Sequence, residues 1–459
     1  MTRATMAGGT FAVLFVLLAV ALGYRALDKD VQPAAAAAPA IAAPTAPTAR
    51  SSPATPSSAA PAARTDQGFL YGRITAADGA TYEGRLRFGG KQEAFWGDTF
   101  DGAKRENLWL AQVPPELRPR ESRTIGLFGI NLIHREVEAD VGRLLVVHFG
   151  EVARIERNGR DVQVTLKSGS MYHIDRWGAS DYDDGVKIWD RGRGEVTLDS
   201  LKIRSIDFLP APALDALPQR LHGTVRTSQG DFTGFVEWDR EECVGSDELD
   251  GSSADGELHL RFDTIRSIAR RSSDSSLVTL LDGREIELSG TNDVNHDNRG
   301  VYVHDPRYGR VLVAWGAFER VDFTPGESGP SYADFPPGSP LIGTVTTRAG
   351  VRLTGRLVYD LDESETIEMF DASYRGVNYA IPFGLVASIE KRDGADLARV
   401  TLHSGEVLQV ERDGDLSDKN AGMLIFVDGR ERPEYLPWTD VEKVSFDPPP
   451  ALHSPLRDW

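Results

Sequence analysis

The feature that most constrains this chain is that it aligns with itself. Leu70-Tyr71-Gly72-Arg73-Ile74-Thr75 recurs as Leu221-His222-Gly223-Thr224-Val225-Arg226 and as Leu341-Ile342-Gly343-Thr344-Val345-Thr346. In each copy a second glycine follows seven residues on (Gly79, Gly230, Gly350), and a third shortly after it (Gly84, Gly234, Gly355). Gly223 and Gly343 are 120 residues apart and Gly72 and Gly223 are 151 apart, so the first copy carries an insertion of roughly 30 residues, placed at about 104–147. Alternating residues on either side of a glycine-containing turn predict a β-hairpin. The third glycine falls inside a strand, where a bulge or sharp bend is expected.

Each copy has a second half with its own recurring strand: Val162–Gly169, Leu277–Gly283 and Ala398–Gly405. The halves also resemble each other. They close on apolar residues three apart, as in Phe262-Asp263-Thr264-Ile265 and Trp315-Gly316-Ala317-Phe318, which predicts a single 3₁₀ turn leading into a last strand. No long amphipathic pattern follows residue 67. The expectation is an all-β chain of three tandem repeats over 68–212, 218–325 and 340–450, each a pair of small barrels.

Val278-Thr279-Leu280-Leu281-Asp282-Gly283-Arg284-Glu285-Ile286-Glu287-Leu288 resembles the first motif of Sm-like small β-barrels, a strand, a tight Asp-Gly turn and a second strand. Phe232-Thr233-Gly234-Phe235-Val236-Glu237-Trp238-Asp239 resembles that family's bent glycine-containing strand. The resemblance, shared with SH3-like barrels, implies a fold. The RNA binding typical of Sm-like proteins is not carried over, because the chain lacks the basic motif endings that grip RNA.

Charge supports that exclusion. The net charge is −18 with no basic run, whereas nucleic acids and anionic membrane surfaces select clustered Lys and Arg. Cys243 is the single cysteine, so an intrachain disulfide and a Cys-x-x-Cys site are both impossible. It reads as a buried small residue beside the strand carrying Trp238. Residues 1–30 hold a short basic start and an apolar run from Ala7 to Tyr24, which reads as a signal peptide or a membrane anchor. Residues 31–67 are rich in Ala, Pro, Ser and Thr and read as a disordered tether. This order predicts export to the periplasm or cell surface, with an inner-membrane anchor or a cleaved leader both open.

Three groups of residues carry possible chemistry. Asp293, Asn295 and Asp297 have oxygen ligands at alternate positions, as in a calcium loop, although His304 stands where a bidentate Glu is expected and Asn298 where Gly is. An acidic pattern recurs in every copy: Glu93, Asp98 and Asp101; Glu242, Asp247 and Asp250; Glu363, Glu368 and Asp371. Paired carboxylates can hydrolyse glycosidic bonds, but a motif present in all copies points to what the fold needs. Thr124–Ile133, in the insertion, is strongly apolar and reads as packing between units. No catalytic residue is assigned. The expected function is an exported, non-enzymatic scaffold for a protein or peptide of the cell envelope, with an envelope glycan hydrolase and a calcium-stabilised surface module as alternatives.

Overall fold

A computed structural model describes residues 68–450, apart from 90–92, 128–129, 139–143, 176–177, 180–181, 214–216, 327 and 392–396. The N-terminal apolar run and the tether lie outside the described residues. No helix among the described residues is long and apolar enough to cross a membrane. Ala63–Trp459 forms one compact unit with its own apolar cores, and so folds as a body. The protein is all-β, and among the described residues the only helical pieces are single 3₁₀ turns. Phe149–Glu151, Phe262–Thr264 and Phe383–Leu385 each lead into a strand, as the apolar spacing predicts.

The segments that recur in the sequence pair alike. In each copy the two strand glycines sit opposite one another: Gly72 and Gly84, Gly223 and Gly234, Gly343 and Gly355. A methyl group on Gly84 would lie 1.9 Å from the Trp189 carbonyl oxygen, and one on Gly234 would lie 2.0 Å from that of His304. The glycine therefore serves a close approach of the third strand. The expected bulge at this site is absent, since the register runs through it unbroken. The bulges fall one strand away, at Thr75/Ala76, Arg226/Thr227 and Thr346/Thr347, against the closing strand of each copy.

The middle copy shows how the halves combine. Its strands run His222–Thr227, Gly230–Glu237, Glu248–Ser253, Gly256–Arg261 and Ile265–Arg270, then Ser275–Leu280, Glu285–Ser289, Val301–Asp305, Gly309–Val313 and Phe318–Phe323. The hairpin Glu248–Arg261 of the first half joins Glu285–Ser289 of the second, and the hairpin Val301–Val313 of the second joins Gly230–Glu237 of the first. The closing strands pair at the centre through Ile268 and Val321, both fully buried. The same central pair is Ile155 with Ile206 in the first copy and Ile389 with Val444 in the third. Two separate barrels per copy, as expected from the sequence, are thus replaced by two halves that exchange hairpins around a local two-fold. The exchange follows from the centre: each closing strand also pairs with the other half's first strand, so neither half keeps its own second hairpin.

Copy boundaries are bridged as well. Strand Val377–Pro382 of the third copy pairs antiparallel with Gly309–Val313 of the second, making one 12-stranded sheet. One apolar core runs through both copies, including Trp238, Phe318, Tyr359 and Phe383; each such buried side chain contributes about 1.5–3 kcal/mol of transfer free energy. The first copy keeps a separate core, joined by Phe335 from the linker and Ile367 from the third copy. Its inserted hairpin, Arg120–Leu127 with Ile130–Glu138, contains the Thr124–Ile133 run, whose side chains lie outside the described residues. Leu144–His148 pairs with Thr99–Ala103, as Gly256–Arg261 does with Glu248–Ser253. The last residues assigned to the insertion therefore belong to the common frame.

Candidate functional site

The recurring acids are spent first on backbone. Asp98 Oδ2 accepts from the Ala94 and Phe95 N–H groups at 2.7 and 2.8 Å. Asp247 Oδ2 does the same for Cys243 and Val244 at 2.8 and 3.0 Å, and Glu368 Oε2 for Ser364 and Glu365 at 2.6 and 3.0 Å. One acid per copy thus satisfies donors that the loop leaves without a ladder partner.

Behind that loop the second and third copies build the same acidic cage from different counter-charges. In the second, Asp239 sits at φ 48° and Arg240 at φ 64°, a left-handed turn that points the Asp239 carboxylate inward. Arg299 Nη2 reaches Asp239 Oδ2 at 2.9 Å and Glu241 Oε2 at 2.8 Å, closing the cage. Asp293 Oδ2 accepts from Asp250 N at 2.8 Å. Burial, with Asp293 nearby, pushes Glu242 up to about 8, and burial pushes Asp293 up to about 6.

In the third copy Asp360 and Leu361 repeat the left-handed turn at φ 48° and 54°, and Asp415 Oδ2 accepts from Asp371 N at 2.7 Å. The arginine is missing: Ala421 donates its N–H to Asp360 as Arg299 does to Asp239, but brings no guanidinium. The third cage holds a cavity of about 180 Å³, lined by Asp360, Asp362, Glu363, Glu368, Asp371 and Asp415 with Leu144, Val146 and Met369. Lys104 of the first copy enters from one side, 2.6 Å from Asp362 and 3.3 Å from Glu368. Burial opposes its charge, but Glu368 and Asp362 hold the ammonium well above its usual range. Burial still disfavours charge on the carboxylates of this cage. Burial pushes Asp360 up to about 7 and Asp362 and Asp371 up to about 6. Glu363 and Asp415 rise well above the ordinary carboxylate range, both through burial, with the charge of Asp415 adding to the first and that of Asp371 to the second. Glu363 Oε2 accepts no hydrogen bond from the described residues. Lys104 is one counter-charge among six acids, and the hard oxygen donors that do not touch it, Asp360, Glu363, Asp371 and Asp415, are of the kind Ca²⁺ takes.

A second cluster lies where the first and second copies meet. Glu237 Oε1 is 2.6 Å from His304 Nε2, and Asp98 Oδ1 is 3.6 Å from the same nitrogen, all three buried. Burial pushes His304 down to about 3, so the imidazole is neutral, while burial and Glu237 push Asp98 up to about 6. These three residues have metal-ligand spacing. The guanidiniums of Arg220, buried, and Arg310, half-buried, already balance the two carboxylates. A divalent cation would leave the buried group with an excess positive charge, which low dielectric penalises heavily. We read it as a docking lock. In the third copy the positions of Glu237 and His304 are Val358 and Phe426, which pack on Val113 and Trp109 of the first copy's insertion. One surface thus docks the first copy through polar groups in one place and apolar groups in the other.

The candidate calcium loop is used internally. Asp293 is buried and engaged by Asp250, Asn295 Oδ1 accepts from Asp297 N, and the Asp297 side chain is 69% exposed. The three face different surroundings. Cys243 is buried among Phe69, Ala94, Phe95 and Val244, and its thiol is pushed well up by burial. Lys104, Arg299 and Ala421 carried no motif. The contrast of Asn298-Arg299-Gly300 with Asn420-Ala421-Gly422 is the sequence signal for the last two.

No protein family, curated protein or solved structure was found to match this chain.

Proposed function

We propose that the chain is a non-catalytic scaffold of the cell envelope, exported by its N-terminal apolar segment and binding a protein or peptide at the edges of its sheets. The observation that carries this is the seam between the second and third copies. There an extended strand, Val377–Pro382, has been added to the outer edge strand Gly309–Val313. Backbone hydrogen bonds supply affinity in such additions and alternate side chains supply selectivity. The corresponding edge of the first copy, Gly194–Leu198, pairs with no further strand among the described residues. The test is binding of a labelled peptide with the sequence of residues 374–383 to the purified 63–459 unit. Saturable binding in the range of about 1–100 μM, lost on Thr197→Pro in a variant of unchanged near-UV spectrum, is the expected result. Absence of binding up to about 1 mM overturns it.

The acidic cavity favours a second reading, in which the scaffold is stabilised by calcium at Asp360, Glu363, Asp371 and Asp415. Millimolar calcium is then expected to raise the melting temperature of the 63–459 unit, and Asp360→Asn with Glu363→Gln to remove that rise; no shift with the wild type sinks it. The same carboxylates lend less to the glycan hydrolase. Raised carboxylates occur in all three copies, and about 180 Å³ is smaller than the roughly 300–1,000 Å³ of ordinary ligand pockets.

A further inference from the structure

Four strands occupy equivalent places in the frame and fall into two contrasting pairs. Gly309–Val313 and Val377–Pro382 cover one another and are largely buried. Gly194–Leu198 is the first-copy counterpart of Gly309–Val313, and Gly256–Arg261 is the second-copy counterpart of Val377–Pro382. Both end their sheets, and both are largely exposed. The molecule thus carries the two members of a strand pair whose other example is made within the chain, but carries them on separate edges.

We infer that these two free edges are complementary halves of a self-association surface, in which Gly256–Arg261 of one molecule adds antiparallel to Gly194–Leu198 of a second copy. This rests on the edge-binding reading above and names its occupant. The register of the internal seam sets Arg310 opposite Ala380, Val311 opposite Tyr379 and Leu312 opposite Asn378. Transferred position by position, it sets Glu195 opposite His259, Val196 opposite Leu258 and Thr197 opposite Glu257. The apolar pair is central. With His259 protonated, the Glu195–His259 pair is opposite in sign and extends outward on both sides, because Lys187 holds Glu195 at 2.9 Å and Asp250 holds His259 at 2.6 Å. The signs alternate across the joint: Lys187, Glu195, His259, Asp250. Charged edges normally deter strand pairing, and an alternating row deters every partner except one with the matching row. Because the two edges are different surfaces, the contact is head-to-tail, giving a ring or an open chain of molecules.

Sedimentation velocity of the 63–459 unit from about 1 to 100 μM tests this. Reversible, concentration-dependent growth beyond the monomer is expected. Glu195→Arg and His259→Glu should each weaken it about two- to fivefold, and the double variant should regain most of the loss, since the two charges have traded places. Thr197→Pro should abolish it. If that variant misfolds, the surface charge swap alone decides. A monomer at every concentration, or growth indifferent to both charge changes, overturns the inference. If the wild type stays monomeric but binds the 374–383 peptide, the edge binds strands and the second copy is not its occupant; if it does neither, the edge-binding reading falls as well.

Discussion

The acidic cages of the second and third copies share a left-handed turn, an Asp that binds the backbone of the neighbouring hairpin, and an inward Glu. They differ in one cation. Arg299 fills the second cage and pairs with two of its acids, whereas Ala421 leaves the third open beside a lysine borrowed from another copy. The lesson is that a repeated frame fixes where carboxylates go, and single substitutions decide whether the result is a closed ion cluster or a cation-seeking cavity.

The largest break comes from the borrowed lysine. Lys104, Asp362 and Glu368 are all buried, so Lys104→Met removes the cation and leaves two buried acids. A loss of about 3–5 kcal/mol is expected by urea unfolding, or a smaller loss if calcium at millimolar level takes over the lost charge. Next comes Arg299→Ala, which turns the second cage into a copy of the third. Arg299 is 41% exposed, so solvent screening reduces the cost to about 2 kcal/mol. The sharper readout is a calcium-dependent melting shift that exceeds the wild type's. A loss of stability with no new response to calcium would mean that the cage shape, and not its charge, separates the two copies.

The pH dependence has two opposing parts. Asp360, Asp362 and Asp371 have folded values of about 6–7, above the roughly 4 of an unfolded Asp. The folded state therefore holds more protons between about pH 4 and 7, and stability falls as pH rises through that window. His304, held near 3 in the fold, makes the opposite contribution, with stability rising from about pH 3 to 6.5. With chelator present the acids outnumber the histidine, and melting temperature should fall between pH 5 and 7. Calcium should flatten or reverse the slope. A rise in chelator would show that the cage acids ionise without cost.

Much of the frame was legible because it rests on periodicity and on glycine. The hairpins, the 3₁₀ turns before the closing strands and the all-β class follow from residue patterns that act locally. The exchange of hairpins was not legible. It depends on which of two equivalent edges a hairpin joins, and the halves are alike enough that sequence cannot distinguish self from partner. The same limit applies to the site. Glu363 and Glu368 stand in a recognisable acidic motif, but the pairing of Glu368 with Lys104 is a contact across more than 250 residues. The loop at Asp293, Asn295 and Asp297 looked like a calcium site because of its spacing. Its best acid, Asp293, binds the Asp250 amide beside a cage that Arg299 closes, while its third-copy relative, Asp415, binds the Asp371 amide and lines the open cavity.

The smallest expected effect makes the finest distinction. Glu363 and Glu242 occupy equivalent positions, each with an Oε2 that accepts no hydrogen bond from the described residues. Replacing either by Gln keeps the shape and removes a charge that burial disfavours. In chelator, both variants should be more stable than the wild type by about 1 kcal/mol at pH 8. In calcium the two should separate. Glu242→Gln should keep its gain, because Arg299 already closes that cage. Glu363→Gln should lose its gain, since the charge it removes is one the cation would use. Equal behaviour in calcium would mean that the open cage and the closed one are electrostatically the same, and that the missing arginine has no functional consequence.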